Sequence, residues 1–280
     1  MKKVPKSIEQ HLQQEIILTP EQIEFYQTNR YIKIKQVVNE ETLHFFNEVI
    51  SDYLQKFKEE KVLPLHDRDT YGKAFLQVMN LWREDELIAQ LVFSRRLASL
   101  ATQLMGTRGV RLYHDQALFK EPGGGFTPWH ADQFYWPLSS DKTITAWIPL
   151  QAVPAEMGPL EFSAGSHRIV EGRELGISDE SEQKIAEKLR VTDCPQVSEP
   201  FDTGEISFHS GWVFHRAGPN QTDRMRKVMT IIYMDKDMRL KAPVNSNQQA
   251  DWETWCPGAV IDEIIDTKLN PILFSKETSH

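Results

Sequence analysis

The sequence predicts an α+β protein in which helices come first and strands follow. Apolar residues recur at helical spacing through roughly the first hundred positions. From about residue 109 the period changes to short β-rich runs separated by Pro/Gly turns, the pattern of helices packed on a β-sandwich or barrel. At 280 residues and 40% hydrophobic content the chain can bury one sizeable core. No linker-like stretch divides it. One domain over 1–280 is therefore expected, with a helical part at about 1–108, a β core at about 109–240 and a C-terminal tail.

Along the helical part, Leu18-Thr19-Pro20-Glu21-Gln22 has the form of a helix start: a Thr cap, Pro at the first position and acid in the first turn. Tyr31-Ile32-Lys33-Ile34 is a short β-rich piece. Asn39-Glu40-Glu41 opens a longer helix carrying Leu43, Phe46, Val49, Ile50 and Leu54 on one stripe. Glu84 to Met105 repeats the helical pattern and stops at Gly106. Strands are expected at Val110–Lys120, Thr143–Leu150, Pro159–Phe162, Glu205–Phe208 and Lys227–Met234. Ser178–Lys188 is acidic and polar, with few apolar positions. It reads as a solvated surface helix, and as a flap over a site entrance in the second reading.

Composition excludes several partner classes. The net charge of -8 argues against nucleic acid and anionic membranes. The start MKKVPKSIEQHLQQ has no apolar stretch behind it, so it is not expected to be a signal peptide, and no apolar run suits a membrane span. Two cysteines, Cys194 and Cys256, fit a reducing compartment and supply no zinc cluster. A soluble cytoplasmic protein is expected.

The chemistry concentrates in His130-Ala131-Asp132, joined far downstream by His215. Two imidazoles and one carboxylate are the ligand set of the facial triad that holds non-haem Fe(II) and leaves positions open for cosubstrate and oxygen. In an extended segment, residues two apart point the same way, so His130 and Asp132 can chelate one ion while Ala131 faces away. The triplet alone is weak, since the chain has nine histidines. Trp129 before it and the Glu121-Pro122-Gly123-Gly124-Gly125 approach strengthen it. His215 ends a strand-like segment before a Gly-Pro turn, and Arg226 opens the next apolar strand. Two antiparallel neighbours joined by that loop would bring the arginine near the metal. A guanidinium suits bidentate capture of a carboxylate, such as the distal one of 2-oxoglutarate.

With these residues in view, the chain resembles the phytanoyl-CoA dioxygenase family of Fe(II)- and 2-oxoglutarate-dependent oxygenases. The matching segments are Trp129–Asp132, Ala146-Trp147-Ile148-Pro149-Leu150, Gly158-Pro159-Leu160, Gly165-Ser166-His167-Arg168, the His215/Arg226 pair with Asn220 between, and the Trp255–Gly258 tail. The resemblance implies a double-stranded β-helix (jelly-roll, cupin-like) core with flanking N-terminal helices. It implies His130, Asp132 and His215 as iron ligands, Arg226 as the 2-oxoglutarate anchor and Trp147 as a wall of the cosubstrate pocket. It also implies a small-molecule substrate and O2 as reactants. One departure is Ala217, where family members often have Ser; hydrogen bonding is then expected to shift to Thr222 or a water. Asp132 favours hydroxylation, because related halogenases carry a small residue there. The second reading is a metal-binding jelly-roll protein or isomerase that uses the same ligands without oxygen chemistry.

Period two on the strand before the glycines puts His114, Gln116, Leu118 and Lys120 on one side. Gln116 is thus a candidate donor to 2-oxoglutarate, or a polar residue satisfied within the sheet. Lys73 and Gln77 are candidates for the pocket mouth, with a solvated role preferred for Lys73. His167 and Arg168 either reach substrate or fix their loop. His114 and His209 read as satisfied sheet histidines. Phe134-Tyr135-Trp136 reads equally as core or as a wall of a substrate pocket.

Overall fold

The computed structural model describes residues 2–61, 68, 72 and 74–276. The helices are α1 (Lys6–Gln13), α2 (Pro20–Asn29), α3 (Glu40–Lys61), α4 (Glu86–Val92), α5 (Arg95–Met105), α6 (Asp179–Arg190) and α7 (Ser246–Trp255). The strands are β1 (Tyr31–Ile34), β2 (Leu76–Met79), β3 (Gly109–Phe119), β4 (Thr127–His130), β5 (Thr143–Pro149), β6 (Leu160–Ser163), β7 (Gln196–Ser198), β8 (Ile206–Ser210), β9 (His215–Ala217), β10 (Val228–Asp235) and β11 (Ile272–Ser275).

Local signals set most boundaries. Thr19 closes a capping box on α2: its backbone N–H donates to the Gln22 side chain at 2.9 Å, and its hydroxyl accepts from Gln22 N–H at 3.3 Å. Asn39 caps α3 through Thr42 N–H at 2.9 Å. The stretch from Glu84 to Met105, continuous in its pattern, is two helices. Ser94 breaks it by capping α5 at Leu97 N–H, and its hydroxyl donates to the Leu12 carbonyl at 3.1 Å. Serine competes with the helical backbone in this way wherever a tertiary acceptor is within reach.

A large antiparallel sheet runs β1-β8-β5-β10-β3-β11, with β2 also paired to β3. A smaller one runs β4-β9-β6-β7. Alternation sorts the faces of the large sheet. Ile144, Ala146 and Ile148 of β5, and Met229 and Ile231 of β10, join the core beneath the helices. Thr145, Trp147 and Thr230 point the other way, toward the space between the sheets. Helices on one face and a second sheet on the other make the expected double-stranded β-helix. The N-terminal part and the tail both enter the large sheet, β1 along β8 and β11 along β3. The acidic helix α6 is exposed on its outer face, but Ser181, Ile185 and Leu189 are buried, and it packs against Trp129 and Phe214. Among the described residues, no helix is long and apolar enough to cross a membrane.

Candidate active site

His130 ends β4, and Asp132 follows at the start of a short 3-10 turn, so the chelating pair straddles a strand end. His215 begins β9 instead of ending a strand; the chain leaves β8 in the large sheet and turns through residues 211–214 into the small one. β4 and β9 pair with His130 opposite His215. The imidazole rings of His130 and His215 lie 4.2 Å apart. One ligand atom from each of His130, Asp132 and His215 lies within 4.8 Å of the others. The Nε2 atoms of His130 and His215 stand 3.5 and 3.7 Å from Asp132 Oδ1.

Both rings are oriented from behind. His130 Nδ1 lies 2.7 Å from the Pro128 carbonyl and His215 Nδ1 lies 3.1 Å from the Val213 carbonyl. A carbonyl only accepts, so each Nδ1 carries a proton, and each ring is turned so that Nε2 faces the space it shares with Asp132. Burial, reinforced by His130, pulls His215 well below its ordinary pKa. Burial alone would raise Asp132, but His215 and the contacts from His130 and His209 hold it well below the usual carboxylate range. Two imidazole nitrogens and one carboxylate are the donor set that a divalent iron ion takes.

Across the cavity, Arg226 is buried against the Trp147 ring, its guanidinium carbon 5.5 Å from the ring centroid. Its Nη1 donates to the Gly158 carbonyl, and its Nε has no partner. Burial lowers it to about 9, so it remains a cation at neutral pH. Lys120 lies beside it and donates to the Gly125 and Gly218 carbonyls at 2.6 and 2.7 Å. Burial, then Arg226, drops Lys120 to about 6. Neither side chain has an acidic partner among the described residues. A buried guanidinium with a free N–H facing a cavity fits the carboxylate of a dicarboxylic cosubstrate.

The arginine does not reach this place as the expected β9–β10 neighbour. β9 and β10 lie in different sheets, and Arg226 forms a bridge with Lys120 at the end of β3. It meets the histidines because the two sheets face each other across one cavity, whose lining includes His130, Asp132, Trp147, His215 and Arg226. Gln116 lines the same space and accepts a hydrogen bond from Gln77. His114, Gln116 and Leu118 all line the cavities between the sheets, as their alternation requires. Lys73 lies outside the described residues.

Of the remaining candidates, some take one of their two expected roles and others are corrected. Thr222 makes no bond into the cavity; its hydroxyl donates to Asn220 Oδ1 at 2.7 Å, while the Asn220 amide ties together the Lys120, Glu121 and Arg224 carbonyls. His167 and Arg168 are absent from the cavity lining, and the His167 carbonyl accepts from Arg173. His114 and His209 are not satisfied within the sheet. His114 Nδ1 and both His209 nitrogens are buried without a hydrogen-bond partner, and His209 Nε2 stands 3.4 Å from Asp132 Oδ2. Tyr135 and Trp136 wall a second cavity that opens beside Asp132. Thr145, which donates to Asp132 Oδ2 at 3.2 Å, carried no sequence signal, nor did Asp251 of that second cavity.

A jelly roll that gathers such a donor set opposite a buried arginine is the architecture of oxygenases that use Fe(II) and consume 2-oxoglutarate, and the chain is a dioxygenase of that class. Comparison with known proteins supplies the family. The family profile described as "Phytanoyl-CoA dioxygenase (PhyH)" matches residues 26–228, and the chain belongs to that family. It is 25% identical over 158 residues to a probable alpha-ketoglutarate-dependent hypophosphite dioxygenase of Stutzerimonas stutzeri, a match spanning 54% of each chain. The alpha ketoglutarate dependent carbocyclase SnoK of nogalamycin biosynthesis superposes with a TM-score of 0.73 at 24% identity, over 91% of this chain and 96% of that one. The epimerase SnoN, in a structure with Fe3+, alpha ketoglutarate and nogalamycin RO, gives 0.70 at 23% identity, over 91% and 98%.

Proposed function

We propose that His130, Asp132 and His215 hold the Fe(II), that Arg226 anchors 2-oxoglutarate, and that the enzyme hydroxylates a small organic molecule. The observation that carries this reading is that His130, Asp132 and His215 each bring a ligand atom within 4.8 Å of the others, with both imidazoles held from behind through Nδ1. Bound iron and 2-oxoglutarate supply the oxidation, in which O2 is consumed, succinate and CO2 are released, and one oxygen atom goes to the substrate. The chain's part is to position and to exclude water. Arg226 receives the distal carboxylate, Trp147 and Leu160 wall its path, and Gln116 stands where a side-chain amide can reach a carboxylate oxygen. Thr145 donates to Asp132 Oδ2 and so steadies the carboxylate that would hold the ion. His209, buried and neighbouring the same carboxylate, limits how Asp132 can turn. A carboxylate at position 132 supports hydroxylation over halogenation. Both cysteines are free thiols, in keeping with a reducing cytoplasmic setting.

Purified protein supplied with Fe(II), ascorbate and 2-oxoglutarate should release succinate slowly without any second substrate. His130→Ala should lose both stoichiometric iron and succinate release. Arg226→Met should keep its iron while the KM for 2-oxoglutarate rises at least about 30-fold, the equivalent of about 2 kcal/mol for truncating one side of a buried charge contact. Full turnover by His130→Ala would overturn the assignment of the ligands. Metal-dependent activity untouched by Arg226→Met would favour a metal protein without oxygen chemistry.

A further inference from the structure

The cavity beside Asp132 has a volume of about 400 Å³, within the range of small-ligand sites. Its wall has a distinct chemistry. Tyr135 and Trp136 come from the turn after the His130-Ala131-Asp132 triplet, and Trp255 from the end of α7. Asp251, one turn earlier on α7, places a carboxylate on the same wall. Tyr113 Oη donates to Asp251 Oδ2 at 2.9 Å, and the Trp255 side chain, one turn on, lies close enough to favour the ionised carboxylate. An ionised carboxylate offers about four acceptor sites, so these two neighbours leave capacity on the cavity side. No cationic side chain pairs with Asp251 among the described residues, and no lysine or arginine is among those that line this cavity. His114 is buried in the same wall with its Nδ1 lacking a partner, an acceptor or donor held ready for a polar group of a ligand.

A half-buried carboxylate among aromatic faces, with no protein cation to neutralise it, is complementary to a positive ligand. We propose that the substrate is an ammonium-bearing small molecule, its cation held between Asp251 and the rings of Trp255, Trp136 and Tyr135, its reacting carbon extending toward Asp132. This rests on the oxygenase reading above for the identity of Asp132's neighbourhood, and it adds the chemical class of the substrate. The Asp251 end of this wall disfavours anions, since a carboxylate or phosphonate placed there meets Asp251 with no lysine or arginine among the lining residues.

The test is calorimetric titration of the protein loaded with Zn(II) and 2-oxoglutarate, a state in which the metal already claims Asp132. The probes are choline with its uncharged isostere 3,3-dimethylbutan-1-ol, and phenethylamine with 3-phenylpropan-1-ol and 3-phenylpropanoate. Each cation should bind roughly tenfold or more tightly than its neutral partner, and the carboxylate should give no measurable heat. Asp251→Asn should erase the difference between cation and neutral partner, while Asp251→Glu keeps much of it. The comparison of probes on the unaltered protein stands even where a variant fails to fold. Neutral probes binding as well as cations, 3-phenylpropanoate binding best, a preference that survives Asp251→Asn, or no binding by any probe would each overturn the proposal. Substrate-free succinate release tests the oxygenase reading separately, because it needs no occupant of this cavity.

Discussion

Asp251 shows how one residue's surroundings set a measurable pH response. Burial lifts its carboxyl to about 7, against the opposing pull of Tyr113 and Trp255. Of the titratable groups around it, Tyr113, Tyr135 and Cys256 are pushed upward, while His114 and Asp132 across the same cavity are pulled down, His114 to about 4 and Asp132 well below the usual carboxylate range, so none of them changes charge near neutrality. A folded-state value above the unfolded one means that its contribution to folding is lost as pH rises from about 4 through about 7. Ligand binding runs in the opposite direction. A permanent cation prefers the ionised carboxylate, so choline affinity should climb as pH rises from about 6 to 8 and then level, as read by titration at fixed ionic strength. A flat profile would mean that Asp251 does not meet the cation. At this scale the sequence was legible where chemistry-bearing residues are neighbours in the chain. His130 and Asp132 announce themselves by spacing, and His215 and Arg226 by their order behind them. Asp251, Thr145 and His209 could not be found that way, because acids, threonines and histidines of ordinary spacing become functional only through partners distant in sequence.

Among the elements around the site, the Gly158 turn is the most exacting. Gly158 sits at φ 72°, just before β6, and an added Cβ would come 2.3 Å from the Gly218 carbonyl oxygen. Its own carbonyl receives Arg226, while Gly218 receives Lys120. The turn before β6 and the loop after β9 are therefore locked face to face, and the arginine's direction depends on their contact. Gly158→Ala must adopt a left-handed backbone with a side chain and push the loop away. The expected cost is about 1–3 kcal/mol in denaturant unfolding, together with a higher KM for 2-oxoglutarate and unchanged iron stoichiometry. A variant with normal KM would show that the turn does not position Arg226. Boundaries of elements were mostly readable, because caps such as Thr19 and Asn39 are local. The break at Ser94 was not, since its competing acceptor, the Leu12 carbonyl, lies on another segment. The mutual placement of β9 and β10 escaped for a related reason: a loop between two strands does not say whether they share a sheet.

In the whole molecule, both ends of the chain are woven into the sheet that carries the site. β1 covers the β8 edge, and β11 lies along β3, the strand that contributes His114 and Gln116 to the cavities. Leu273 and Phe274 of β11 pack into the same apolar cluster as α5 and the inner residues of β5 and β10, and the Arg95 guanidinium stacks on Phe274 at 4.6 Å. The sequence located the β core by its change of period, but the tail carried no periodic signal long enough to reveal that it returns as a strand. Its membership has a consequence for how the chain unfolds. With core residues shared between the helices, the large sheet and the tail, we expect residues 1–280 to behave as one cooperative unit. Phe274→Ala should then lower the stability of all of it by about 3 kcal/mol, in line with truncation of a buried phenylalanine. Near-ultraviolet signals from the tryptophans of the cavities and far-ultraviolet signals from the helices should shift together along the denaturant axis. A split into two transitions, with only one displaced by Phe274→Ala, would assign the tail and its strand to a separate unit from the iron-site sheets.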